Sequence, residues 1–130
     1  MQREQFTKLM DETYDVLKGL NQTKGHDYAG DDDALNNFKS AGERVGLDPI
    51  QVWGIYFLKH IAAIETFVKE GNVKSEPIEG RIQDAILYLF LLLGLIAEQA
   101  GEQIVQKKSA KQMQGEMVGG GGLNRGLDGD

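Results

Sequence analysis

The chain has 130 residues, with 20 Asp and Glu against 14 Lys and Arg and a net charge of −6. That is one domain's worth of sequence, enough to bury roughly two-thirds of its unfolded surface. The acidic balance argues against a sequence-independent grip on duplex nucleic acid, which needs a basic face. The absence of cysteine excludes disulfides and thiolate metal sites.

The amino terminus, MQREQFTKLMDE, is polar and has no apolar signal core, so a cytoplasmic location is expected. Residues 3–18 place Phe6, Leu9, Met10, Thr13 and Leu17 at three- and four-residue spacing, the mark of an amphipathic helix. The stretch TKGHDYAG, residues 23–30, then has turn chemistry, bracketed by Gly25 and Gly30. As a loop it would expose Lys24, His26, Asp27 and Tyr28: a cation, an acid/base group, a metal-capable carboxylate and a ring for stacking. Asp31, Asp32 and Asp33 fit caps of a short helix over residues 33–45 better than metal ligands, because the segment lacks the acid spacing and the final glutamate of an EF-hand.

Both prolines read as helix-start signals. Asp48, Pro49 and Gln51 form an N-cap, a first-turn proline and a capping-box partner, for a helix running to about Glu70 and stopping at Gly71. Ser75, Glu76 and Pro77 open another, expected to continue toward Gln106. It contains AILYLFLLLGLIA, residues 85–97, shorter than the about 20 residues that a membrane span needs and typical of a buried core helix. A helix apolar on all sides must be covered on all sides, so a homo-oligomer through residues 77–106 is expected, and no membrane partner. Nothing alternates as a half-buried strand does. The expected fold is all-α: a helical bundle of three main helices plus a short one, over residues 1–114. The glycine-rich residues 115–130 read as a flexible tail.

Chemistry concentrates in two places besides the 23–30 segment. Glu76, Gly80, Asp84 and Tyr88 are spaced by four and share one helix face, with Glu79 and Arg81 beside them. First-turn acids commonly just complement the helix dipole, which accounts for Glu76 and Glu79. Asp84 lies two turns in, beside the most apolar run of the chain, where a carboxylate needs a partner or a metal. On the preceding helix Lys59 and His60 sit among apolar residues. A lone histidine there is more often a hydrogen-bonded core residue than a catalyst, and a lysine commonly extends its head to solvent.

The segments KGHDYAG, FLKHIAAI and SEPIEGRIQDAILYL, in that order over residues 20–97, resemble the phage and bacterial family called nucleotide modification associated domain type 1. That family looks like a relative of the all-α, MazG-like nucleoside triphosphate pyrophosphatases. Lys24, His26, Asp27 and Tyr28 match its first motif, with Ala29 inserted before Gly30; Glu76, Asp84 and Tyr88 match its second. Gly80 stands where the family has a middle aspartate and Leu87 where it has an asparagine. The Glu-x-x-Glu pair of MazG-like enzymes has no clear counterpart, Asp11, Glu12 and Asp15 being the nearest acids.

The resemblance implies a nucleotide partner and Mg²⁺-assisted cleavage between the α and β phosphates, in the host cytoplasm if the chain is phage-encoded. On it, Glu76, Glu79 and Asp84 are the metal candidates, Lys24 or Lys59 would neutralise the leaving pyrophosphate, and Tyr28 or Trp53 would stack on the base. His26 would read the base edge or shuttle a proton, while Asp27 and Tyr88 complete the substrate wall. The departure at Gly80 keeps a second expectation open, a non-catalytic protein that binds or sequesters a nucleotide. A third is a structural or adaptor protein of a virus particle, joined to its neighbours through the glycine-rich tail.

Overall fold

A computed structural model describes residues 1–29, 33–72 and 76–118, the side chains of residues 24–29, 104–106 and 113–118 excepted. It is all-α: α1 (Arg3–Ala29), α2 (Asn36–Val45), α3 (Pro49–Glu70) and α4 (Ile78–Val118), with no strand among the described residues. The chain divides into two units, Met1–Leu95 and Ile96–Asp130. The packing described below belongs to the first.

Two boundaries differ from the expectation. The segment from Thr23 is not a loop, because α1 continues through it to Ala29. A lone glycine such as Gly25 costs a helix only about 1 kcal/mol relative to alanine and does not by itself stop one. Thr23 turns its hydroxyl inward, Oγ1 donating to the Gly19 carbonyl at 3.0 Å. The second difference is α4, which runs on to Val118 rather than ending near Gln106 and so includes the first residues assigned to the tail. The stretch QKKSAKQMQ is made almost entirely of good helix formers. Residues 119–130, the greater part of the glycine-rich tail, lie outside the described residues, as does Ser75.

The start of α2 is organised by Asp33. Its Oδ1 accepts from the Leu35 N–H at 3.0 Å, its carbonyl accepts from the Asn36 N–H at 3.2 Å, and its Oδ2 accepts from Lys39 Nζ at 2.9 Å. The lysine and the Leu35 N–H together hold the Asp33 carboxyl below its ordinary pKa. Asp33 thus shapes the turn ahead of the helix, while the N-cap position itself is Leu35, which makes no side-chain cap bond. Asp31 and Asp32 lie outside the described residues.

Gly46 ends α2 in the left-handed conformation, φ 73°. Two residues later the expected capping box opens α3: Asp48 Oδ1 accepts from the Ile50 N–H at 2.8 Å, and Gln51 Oε1 accepts from the Asp48 N–H at 2.9 Å. Gly71, φ 80°, closes α3 with its N–H donating to the Phe67 carbonyl at 2.7 Å.

The core is built where α2, α3 and α4 meet. Leu35, Phe38, Val52 and Leu95 are buried there, with Tyr56, Tyr88 and Leu91 packed around them. The Phe38 ring meets Tyr88 edge-on at 6.0 Å and Tyr56 at 6.1 Å. Leu35 also reaches α4 at Gly94, where an added Cβ would lie 3.6 Å from its methyl group. α1 joins chiefly through Leu17, which is buried, and through Tyr14, whose ring stacks on Phe90 at 6.2 Å.

Candidate functional site

α3 offers Trp53, Phe57 and His60, spaced four and three apart and hence on one side of the helix. Trp53 is fixed twice: its ring stacks on Phe57 at 4.6 Å, and its Nε1–H donates to the Tyr88 carbonyl of α4 at 2.7 Å. That bond sets α3 against α4 so that the His60 ring lies over Tyr88, centroids 4.5 Å apart. His60 is therefore packed, as a histidine on an apolar helix usually is. Yet its Nδ1 is buried without a hydrogen-bond partner among the described residues. Buried polar atoms are nearly always paired, so an exception asks for an explanation.

Charges from both helices converge on this imidazole. Burial pushes its pKa below the ordinary value; Asp84 and Glu76 pull it up, while Arg81 and Lys59 push it down. Arg81, its side chain three-quarters covered, pairs through Nε with Glu76 Oε2 at 3.4 Å. The predicted stripe on α4 is thus partly assembled: Glu76, Asp84 and Tyr88 all act on His60 or touch it. Gly80, between the two acids in the stripe, has open space where a side chain would stand.

The other predicted residues are dispersed. Glu79 lines a groove facing α1, together with Ile82 and Gln83. Lys59 is exposed and reaches the cluster only through its field on His60. Lys24, His26, Asp27 and Tyr28 belong to the last turns of α1 by backbone, and their side chains lie outside the described residues. Among the described residues no three His, Asp or Glu side chains stand together as a metal-ion site. Mg²⁺ wants several converging carboxylate or phosphate oxygens; here Glu76 is turned to Arg81 and Glu79 to the groove.

Arg81 and Phe57 carry no role in the sequence reading. Phe57 was legible in principle, one turn beyond Trp53. Arg81 stands five residues after Glu76, a spacing that gives no helical-pair signal, and only the geometry at the start of α4 brings the two together.

Two cavities lie elsewhere. One of about 340 Å³ is lined by Tyr14, Lys18 and Asn21 of α1 and by Leu87 and Gly94 of α4, with Lys18 Nζ 4.7 Å above the Tyr14 ring. The groove holding Glu79 measures about 720 Å³ and is overwhelmingly apolar. Neither contains His60, Asp84 or Trp53. The polar cluster is the better candidate for small-molecule chemistry, since convergent polar groups rather than volume give a site its specificity. Compared with protein-family models, with curated proteins and with solved structures, the chain matches none.

Proposed function

We propose that this chain is a nucleotide-handling protein that binds its ligand at the start of the α3–α4 seam without cleaving it. The observation that carries this reading is the Nδ1 of His60, unpaired among the described residues and held within the fields of Asp84, Glu76, Arg81 and Lys59. A guanidinium and an ammonium suit phosphate oxygens. An imidazole kept neutral by burial offers one nitrogen as acceptor and one as donor, enough to read a base or sugar edge. The resemblance to MazG-like proteins supports a nucleotide over other anions. The pairing of Glu76 with Arg81 and the turn of Glu79 toward the groove favour binding over metal-assisted hydrolysis.

Titration calorimetry with ATP and the four deoxynucleoside triphosphates, with and without Mg²⁺, tests this directly. Saturable binding is expected for at least one, weakened about tenfold or more by Arg81→Gln and by His60→Ala, with no pyrophosphate released. Absence of binding to any of them overturns the reading. Mg²⁺-dependent pyrophosphate release that Asp84→Asn abolishes would select the hydrolase of the MazG-like class instead.

A further inference from the structure

Among the described residues nothing covers the α1 and α4 surfaces that flank the apolar groove. On α4, Ile82, Ile86, Leu89 and Leu93 are spaced four, three and four apart; on α1, Phe6, Leu9, Thr13 and Val16 are spaced three, four and three. These are the alternating spacings of a helix-packing seam. Both seams point out of the core: Phe6 is 53 % exposed, Leu9 47 %, Leu89 47 % and Leu93 63 %. Between the two helices the groove runs along residues 6–17 of α1 and 79–90 of α4, with the buried Leu17 in its lining. Monomeric soluble proteins rarely leave so continuous an apolar surface open.

We propose that a second copy of this chain covers this face, α1 and α4 of one protomer packing on α1 and α4 of its partner in an isologous dimer. This inference is independent of the nucleotide reading. Three features select the occupant. The first is area. A half-exposed aromatic side chain offers on the order of 100 Å². Phe6, Leu9, Met10, Tyr14, Leu89, Phe90 and Leu93 with their neighbours therefore offer roughly 700–800 Å² per copy, close to the about 800 Å² per partner of a stable interface.

The second feature is charge. Along α1, Arg3, Lys8 and Lys18 are interspersed with Glu4, Asp11, Glu12 and Asp15, so the helix presents both signs to a second copy. By length and composition alone α4 could also cross or lie on a membrane. Helices that lie on membranes are rich in Lys and Arg on their polar face, whereas on α1 Lys8 and Lys18 are paired with Glu12 and Asp15 and the whole chain is at −6. The third is the chain's own remaining sequence. Residues 119–130 are glycine-rich and lack the three- and four-residue apolar spacing that an occupant of a helical groove would need.

The full chain is to be followed by sedimentation velocity from about 1 to 100 μM, alongside flotation with neutral and with anionic phospholipid vesicles. A concentration-dependent dimer that ignores both vesicles is expected. Leu9→Glu and Leu93→Glu, made separately at exposed positions, should each weaken association roughly 30-fold or more, the scale of losing one interface anchor. Their helicity by circular dichroism should match that of the starting protein. Val68→Glu on α3, at a position 76 % exposed, should leave association unchanged. A monomer across the whole range overturns the inference, as does undiminished association in both seam variants. Vesicle binding that the seam variants lose, with no dimer in solution, overturns it in favour of a lipid surface.

Discussion

The two long sides of α4 are both apolar in sequence, and the fold treats them in opposite ways. One side is closed: Ala85 and Leu95 are buried, Tyr88 is wedged between Phe38 and His60, and its carbonyl holds the Trp53 N–H. The other side is open: Ile82, Leu89, Phe90 and Leu93 are 40–63 % exposed above the groove with α1. The closed side is anchored by aromatic rings and one directional hydrogen bond; on the open side Tyr14 stacks on Phe90 and the buried Leu17 lines the groove. Hydrophobicity by itself is non-directional and does not choose which side closes. Shape and a buried polar tie make that choice, and they also place the polar cluster on the side that is rigid.

The largest effect that would break this comparison comes from one phenylalanine on each side. Phe38→Ala should destabilise the chain by about 3–5 kcal/mol, since a buried ring is lost from a packed site. Phe90→Ala, where the ring is already 48 % exposed, should cost only about 1–2 kcal/mol at a concentration too low for association. Urea unfolding of both variants measures the difference. Equal losses would mean that α1 closes its side of α4 as firmly as α2 and α3 close theirs.

A pair of glycines sharpens the contrast at smaller cost. At Gly42 in α2 an added Cβ would come 2.5 Å from the Leu47 backbone carbonyl oxygen, so Gly42→Ala should cost about 1–3 kcal/mol despite the better helix propensity of alanine. At Gly19 in α1 the same change meets open space and should gain about 0.5–1 kcal/mol. Thermal denaturation should show the two variants shifted in opposite directions.

The smallest effect is the pH dependence carried by His60. Its pKa is lower folded than unfolded. Between those two values the unfolded chain binds the extra proton, so stability rises with pH there. The contribution is fully present above about pH 6.5, the unfolded value, and is lost as pH falls toward the folded one. The side chain is partly solvent-screened, so the slope is modest. Melting temperatures measured from pH 7.5 to 5.5 should fall for the starting protein by more than for His60→Gln. Parallel curves would show that the imidazole is not held neutral by its surroundings, and would remove the basis for its role in the polar cluster.

Much of the local architecture was legible because its causes are local. The Asp48, Pro49 and Gln51 box and the Gly71 stop each act within one helical turn, so their residues announce them at short range. The Asp84 and Tyr88 alignment on α4 follows from the helical period alone, while Glu76 stands two residues before that helix begins. The misread boundaries have a common origin: glycine and polar clusters were given the weight of punctuation at Thr23 and after Gln106, where helix propensity outweighed them. Glu76 and Glu79 are only three residues apart, but Glu76 stands ahead of α4 and pairs with Arg81, whereas Glu79 lies on the helix and lines the groove. Its separation toward the groove becomes consequential only once α1 stands on that side.

By itself, then, the sequence determined the class of fold, the number of helices, two of their ends and which face of α4 carries acids. These follow from backbone propensity, capping and a period of 3.6 residues, all interactions between near neighbours. The tertiary structure alone decided which apolar side of α4 is sealed and which is left open, and that His60 meets Tyr88 and the field of Arg81. These depend on how α3 and α1 approach α4, and a contact between residues distant in the chain leaves no periodic signal in either segment.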